Sequence, residues 1–288
     1  MNRIKLTTDY IYNEKVANDI TIVHISDIHF SIKTKAKELS KINKYIDKID
    51  PSYIMITGDL IDEPSITKNN KIKELIEFLR NLGKKRKVLI CLGNHDVYMD
   101  GDFQFFQKLD DLKNIYILNN KNYTDEYINV LGLTLPNNYY YNCCRGESVD
   151  ALVSFLDSQI KLLNKINSDT PNVLLIHSPI KLTVKEVIKR LKNYDLILCG
   201  HTHNGIVPDL LKPLFPKNIG LISPRKGLFP EIAKGKIIKE IDNKKITIII
   251  NGAITKLSNR SGITKLNFIY NKDINKIIIT KKRGKKYE

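Results

Sequence analysis

Five short segments of the chain set ionisable and amide side chains next to one another. They are Ser26-Asp27-Ile28-His29, Gly58-Asp59-Leu60-Ile61-Asp62, Gly93-Asn94-His95-Asp96, Ile176-His177-Ser178 and Gly200-His201-Thr202-His203-Asn204-Gly205. Five of the six histidines lie in them, although the segments run from residue 26 to residue 205. Imidazole and carboxylate are ligands for divalent transition metals, and alternate residues of an extended segment, as in Asp27-x-His29 and His201-x-His203, aim two donors at one ion. Asp27, His29, Asp59, Asn94, His177, His201 and His203 make seven donors. That is too many for one tetrahedral ion and suits two ions sharing a carboxylate bridge. The mixed oxygen and nitrogen ligand set, with no thiolate, suits Mn, Fe, Co or Zn better than Mg or Cu(I). Read alone, Gly93-Asn94-His95-Asp96 is a turn with positive φ at Gly93 or Asn94; the four companion clusters argue for chemistry instead. His24 falls outside the pattern and reads as a residue packed within its strand.

Strand ends must position these clusters. Apolar runs at 20–26, 53–57, 86–92, 127–133, 172–176 and 194–199 have strand length, and five of the six are followed at once by one of the clusters. Between them, 35–49, 65–83, 148–166 and 184–192 carry helical periodicity, so the alternation predicts an α/β sheet protein. Open α/β sheets gather ligands at the carboxyl ends of their strands, where one site can collect all five segments. After residue 204 a Pro-rich loop leads to KITIII, LNFIY and INKIIIT, which read as antiparallel strands. No internal repeat or flexible linker divides the chain, so one domain is expected.

In chain order, D-x-H, G-D-x-x-D, G-N-H-D, H and G-H-x-H resemble the pattern of the calcineurin-like metallophosphoesterase superfamily, over about residues 20–205. NGIVPDLLKPLFP, SPRKGLFP and NGAITK further resemble its bacterial YkuE-like branch, with Asn204 where a glycine is usual. The resemblance implies a four-layer αββα sandwich of two mixed β-sheets flanked by helices. The single domain would span 1–288, with a metal-binding core at about 20–205 and a closing loop and antiparallel strands at about 206–281. It implies that Asp27, His29 and His203 hold one cation, that Asn94, His177 and His201 hold a second, and that Asp59 bridges them. His95 would face the scissile phosphate with Asp96 orienting its imidazole, and Asp62 would stand behind the ligands or start a helix. The implied reaction is hydrolysis of a phosphodiester or phosphomonoester by hydroxide activated between two metal ions. The alternatives are a metal-dependent nuclease, a UDP-sugar lipid pyrophosphatase, whose acyl-chain pocket the sequence does not locate, and a non-catalytic scaffold. The intact Asn94, His95 and Gly200-His201-Thr202-His203 argue against the last.

Composition narrows the partners. The chain has 288 residues, 42% of them hydrophobic and 27% charged, which is ordinary for a globular protein. Its net charge of +16 admits nucleic acid, a phosphorylated metabolite or an acidic membrane surface, but the Lys-rich, Ile-rich and Asn-rich composition reads first as a general bias. A small-molecule or lipid-linked phosphoester is therefore the expected partner, ahead of nucleic acid, and the oligomeric state is left open. Arg145, Arg225 and Lys226 are candidate phosphate contacts. Tyr139, Tyr140 and Tyr141 either reach over the site or pack inward. Four cysteines, with Cys91 and Cys199 closing apolar strands, point to a reducing compartment rather than a disulfide framework. With no apolar leader and no span-length window, the expected location is cytoplasmic, with peripheral membrane contact through the basic surface left open.

Overall fold

The computed structural model describes residues 3–98, 103–141, 148–216, 218–222, 228, 230, 232–257 and 264–282. In the first half of the chain, strands β1 (Ile4–Tyr12), β2 (Ile20–Ile25), β3 (Tyr53–Thr57), β4 (Lys87–Cys91) and β5 (Ile115–Ile117) alternate with helices α1 (Ala36–Ile49), α2 (Ile72–Gly83), α3 (Asn94–Val97) and α4 (Phe103–Asp110). Then come β6 (Lys121–Thr124), β7 (Asn129–Leu133), α5 (Asn137–Tyr141), α6 (Val149–Ser158), α7 (Ile160–Leu163), β8 (Asn172–Ile176), α8 (Lys185–Arg190) and β9 (Leu196–Cys199). Strands β10 (Gly235–Ile241), β11 (Lys244–Ile250) and β12 (Lys272–Thr280) close the chain.

Two six-stranded mixed sheets result, in the orders β1-β12-β2-β3-β4-β5 and β10-β11-β9-β8-β7-β6. Strand residues alternate between faces, so a strand covered on both sides must be apolar throughout. Between the sheets, Ile22, Met55, Leu89 and Cys91 meet Val173, Leu175, Leu198 and Ile249. On the outer face of the first sheet, Ile25, Ile54 and Ile90 pack under Leu39, Ile42, Leu75 and Leu79 of α1 and α2. The second sheet does the same with Leu174, Ile176 and Ile197 under Leu152, Leu156 and Ile188 of α6 and α8. The layers are thus helix, sheet, sheet, helix, as expected. Among the described residues no helix is long and apolar enough to cross a membrane.

Four departures have physical causes. Strands β1 and β10 carry few fully buried residues, so their sequences lack a strong apolar signal. The closing strands are not simply antiparallel: β12 runs antiparallel to β2 but parallel to β1, and β11 antiparallel to β10 but parallel to β9. LNFIY is not a strand but part of a 3-10 helix, Thr264–Ile269. Both edges of β11 and of β12 are already paired, and the Asn267 side chain instead bonds the backbone of Leu257 through both its amide groups. The segment 148–166 breaks at Gln159 into α6 and α7.

At the amino ends of the strands the sheets are tied through Asp125. Its Oδ2 accepts from Tyr53 Oη (2.8 Å) and Lys87 Nζ (2.8 Å) of the first sheet and from Tyr123 Oη (2.8 Å) of the second. Burial pushes this carboxyl up, but the Lys87 ammonium, the Tyr127 amide and the two hydroxyls outweigh it and bring the pKa down to about 2. The stabilisation is therefore complete above an ordinary carboxyl pKa of about 4 and fades as pH falls towards 2. Asp125→Asn should lower unfolding stability at pH 7 by about 1 kcal/mol, after allowance for screening by the water this group still meets. In denaturant titrations the gap between variant and wild type should close below pH 4; a gap that stays constant would exclude the ionic tie.

Candidate metal centre

The parallel strands deliver their clusters to one end of the molecule, and backbone pairing continues beyond the strands. Asp27 N donates to Gly58 O (3.1 Å), His29 N to Asp59 O (2.9 Å) and Phe30 N to Leu60 O (2.8 Å), so the loops after β2 and β3 form one short ladder. Gly200 N donates to His177 O (2.8 Å), joining the exits of β8 and β9. Asp27, His29, Asp59, His201 and His203 all have positive φ, between 46° and 67°. Such backbone costs on the order of 1 kcal/mol per non-glycine residue, and its concentration here marks a site held against local preference. Asn204, at φ 60°, occupies the same region, which asparagine tolerates and which explains how it replaces a glycine.

The donors converge in overlapping groups. Asp27, His29 and His203 bring ligand atoms within 4.8 Å of one another, as do Asp59, His177 and His201, and His29, Asp59 and His95. Asp59 lies between the first two groups: its Oδ2 is 3.2 Å from His177 Nε2 and 3.7 Å from His29 Nε2. Its Oδ1 accepts from the His95 backbone amide at 2.8 Å.

Two imidazoles have their tautomers set by backbone carbonyls, which can only accept. His177 Nδ1 donates to Thr57 O (2.6 Å), and His203 Nδ1 donates to Lys256 O (2.6 Å). Neutral imidazoles then present Nε2 lone pairs: His177 towards Asp59 Oδ2, and His203 towards Asp27 Oδ1 (3.1 Å) and His29 Nε2 (3.1 Å). Acceptors facing acceptors at these distances repel unless a proton or a cation lies between them. Asn94 adds a buried side-chain oxygen, the atom with which an amide ligates, that has no hydrogen-bond partner. The donor set therefore fits a pair of cations.

The charges agree. Burial would raise Asp27, but His203 and His177 hold its carboxyl well below the ordinary range. Asp59 is likewise held low, against burial, by His177 and His95. Burial would lower His177, but Asp59 and Asp27 raise it to about 9. Carboxylates this deep in the protein demand positive charge, supplied by imidazolium or by metal, and metal binding displaces those protons.

Two expected readings, those of Asp96 and Gly93, differ in the structure. Asp96 does not orient His95. Its carboxylate is buried and accepts from Gly93 N (2.9 Å), Leu60 N (3.0 Å) and Ile61 N (3.4 Å), tying the third cluster to the second. Burial and the neighbouring Asp59 charge push Asp96 up to about 7. His95 is positioned by Asp62, whose backbone oxygen contacts Nδ1 at 3.0 Å. Asp62 Oδ1 is also 3.3 Å from His29 Nδ1, so this one buried residue lies behind two imidazoles, and it begins no helix. Gly93 has φ −96°, extended rather than left-handed. It must be glycine because a Cβ there would collide with Asp59 Oδ1 and the Asp59 amide.

Of the tyrosines, Tyr139 and Tyr140 pack inward, Tyr139 Oη donating to Ile180 O (2.7 Å) and the Tyr140 ring lying 5.3 Å from that of His201. His24 is buried in β2 against Thr57 Oγ1 (2.9 Å), and burial lowers its pKa to about 3. Arg145, Arg225 and Lys226 lie outside the described residues, as do Cys143 and Cys144. Sequence reasoning missed the support from residues 251–257. Ile254 N and Thr255 N donate to Ser26 O (2.9 Å) and Asp27 O (3.0 Å), and Asn251 Nδ2 donates to His24 O (3.0 Å). The signal available was NGAITK directly after an apolar strand.

Residues 20–205 match the family model described as calcineurin-like phosphoesterase. An uncharacterized metallophosphoesterase of Helicobacter pylori is 29% identical over 203 residues, covering 70% of this chain and 50% of that protein. The UDP-2,3-diacylglucosamine pyrophosphatase LpxG of Chlamydia muridarum is 26% identical over 274 residues, covering 81% of this chain and 79% of that protein. Among solved structures, a dimetal phosphatase from Danio rerio superposes with a TM-score of 0.44 at 10% identity, covering 81% of this chain and 87% of that one. The chain spans about half the length of the Helicobacter pylori relatives it matches.

Proposed function

Because the chain belongs to the calcineurin-like phosphoesterase family, hydrolases acting on ester bonds, we propose that it cleaves phosphodiesters or phosphomonoesters at this centre with two divalent cations. Asp27, His29 and His203 would hold one, and Asn94, His177 and His201 the other, with Asp59 shared. The observation that carries this reading is the position of Asp59 Oδ2 between His177 Nε2 and His29 Nε2, with the two three-residue groups on either side. Strands β10 to β12 are assigned to the same domain, because residues 251–257 support Asp27 and His203.

Such a pair, when bound, lowers the pKa of a water to give hydroxide near neutral pH and offsets the phosphate charge. The protein's own contributions follow from the contacts. The backbone amide of residue 95 fixes the Asp59 carboxylate. Asp62 O holds His95 Nδ1, which makes Nε2 the nitrogen that stabilises charge on the leaving oxygen or returns its proton. Thr57 O and Lys256 O orient His177 and His203 as neutral donors.

Chelator-treated protein should lose hydrolysis of bis(p-nitrophenyl) phosphate, and two equivalents of Mn, Co, Zn or Fe(II) per chain should restore it. Undiminished turnover in excess chelator would sink the proposal. A second reading is hydrolysis of the diphosphate of a UDP-sugar lipid. It is favoured by the Chlamydia muridarum relative, whose similarity covers 81% of this chain and so continues past residue 205. Release of UMP from UDP-2,3-diacylglucosamine, faster than p-nitrophenol from the diester, would select it.

A further inference from the structure

A cleft of about 480 Å³ opens directly beside the metal centre, with His29 and Asp62 at its inner end. The buried side chains of Leu39, Ile42, Ile254 and Leu257 and the exposed ring of Phe268 give it apolar lining, which it shares with polar residues such as Thr34, Glu38 and Asn267. Lys33 and Lys35 stand at its rim, exposed and without an ion pair among the described residues. A polar small molecule needs no such apolar lining, and an apolar one needs no cations.

The mouth has a second property. The five most exposed large apolar side chains among the described residues are Leu210 at 88%, Leu214 at 77%, Leu228 at 68%, Phe268 at 65% and Ile32 at 61%. All five lie in the connections, some of them 3-10 helical, that leave the carboxyl ends of β2, β9 and β11, the end at which the metal donors gather. Scattered exposed apolar residues are ordinary, but the concentration of the most exposed ones at one end indicates contact with something apolar.

Building on the phosphoesterase reading, we infer that the substrate is an amphiphile: a phosphoester whose apolar chain lies in this cleft while its phosphate sits at the His29 end. Lys33 and Lys35 then meet a further anionic group of the same molecule, and the exposed apolar loops face the lipid surface from which it is drawn. Phe268, mostly exposed at the rim, is a specificity-determining residue, because chain burial covers it without the core having to change.

The test uses the Mn-loaded 288-residue chain and methyl, butyl and octyl p-nitrophenyl phosphates. Each methylene that leaves water contributes severalfold, so kcat/KM should rise by about tenfold or more from methyl to octyl. Phe268→Asp should flatten this dependence, and Phe268→Leu should restore most of it. Calorimetric titration with methylphosphonate and octylphosphonate reads the same preference without turnover, with a negative heat-capacity change for the octyl compound. Equal kcat/KM for methyl and octyl esters, or loss by the same factor on all three esters in Phe268→Asp, would overturn the inference. Failure to hydrolyse even the methyl ester with metal present would instead overturn the phosphoesterase reading, while calorimetry would still report on the cleft.

Discussion

Asp59→Asn should abolish turnover, lowering kcat by about a thousandfold or more. The substitution keeps shape: Asn Oδ1 can still accept from the residue 95 amide, as Asp59 Oδ1 does at 2.8 Å. What changes is the other arm. Asp59 Oδ2, between His177 Nε2 and His29 Nε2, becomes an NH2 group that donates and cannot ligate. The shared ligand is lost along with one negative charge, and His177 loses the carboxylate that most strongly raises its pKa. Stabilisation of several kcal/mol is associated with metal polarisation of a phosphoryl group, and each 1.36 kcal/mol is a factor of about ten. Steady-state kinetics with saturating Mn would check this; a variant that binds metal normally and turns over at wild-type rate removes Asp59 from the bridging position.

The second large effect should come from His95→Ala, about a hundredfold or more in kcat, the scale of general acid–base assistance. The centre itself should survive. The contact of residue 95 with Asp59 is made by its backbone amide, which alanine retains, so metal content should match wild type. Asp62→Asn separates positioning from ligation. Its backbone oxygen would still hold His95, but its carboxylate contact with His29 Nδ1 (3.3 Å) would be weakened. Asp62→Asn is therefore expected to reduce metal affinity by about tenfold to a hundredfold, the range for groups behind a ligand. His95→Ala should reduce rate with little change in affinity. Metal loss in His95→Ala comparable to that in Asp62→Asn would mean that His95 ligates.

The donor types were legible because each cluster is local and follows a buried strand whose apolar run is hard to miss. The α/β character was legible for the same reason, since β3, β7, β8 and β9 are buried on both faces, whereas the two-sheet layering was implied only by the resemblance to the superfamily pattern. What the sequence concealed depends on contacts between segments. Asp96 follows His95 directly and invited a pairing, but the free amides of Leu60 and Ile61 reach its carboxylate through the ladder between the loops after β2 and β3. In the sequence Asp62 stays between a place behind the ligands and a helix start because its partners, His29 and His95, lie 33 residues away in either direction along the chain. Gly93 reads alone as a tight turn with positive φ at it or at Asn94, but it is extended and makes room for Asp59. The strand β1 was hidden because little of it is buried, and Thr264–Ile269 escaped because one asparagine side chain diverts it from pairing.

The central claim is that two cations share Asp59. Electron paramagnetic resonance of the chelator-stripped protein, titrated with Mn(II) to two equivalents, tests it most directly. The account predicts a multiline, exchange-coupled dimanganese spectrum in the wild type that is lost in Asp59→Asn. A wild-type spectrum that stays at the six lines of isolated Mn(II), or a coupled spectrum that persists unchanged in Asp59→Asn, would contradict it.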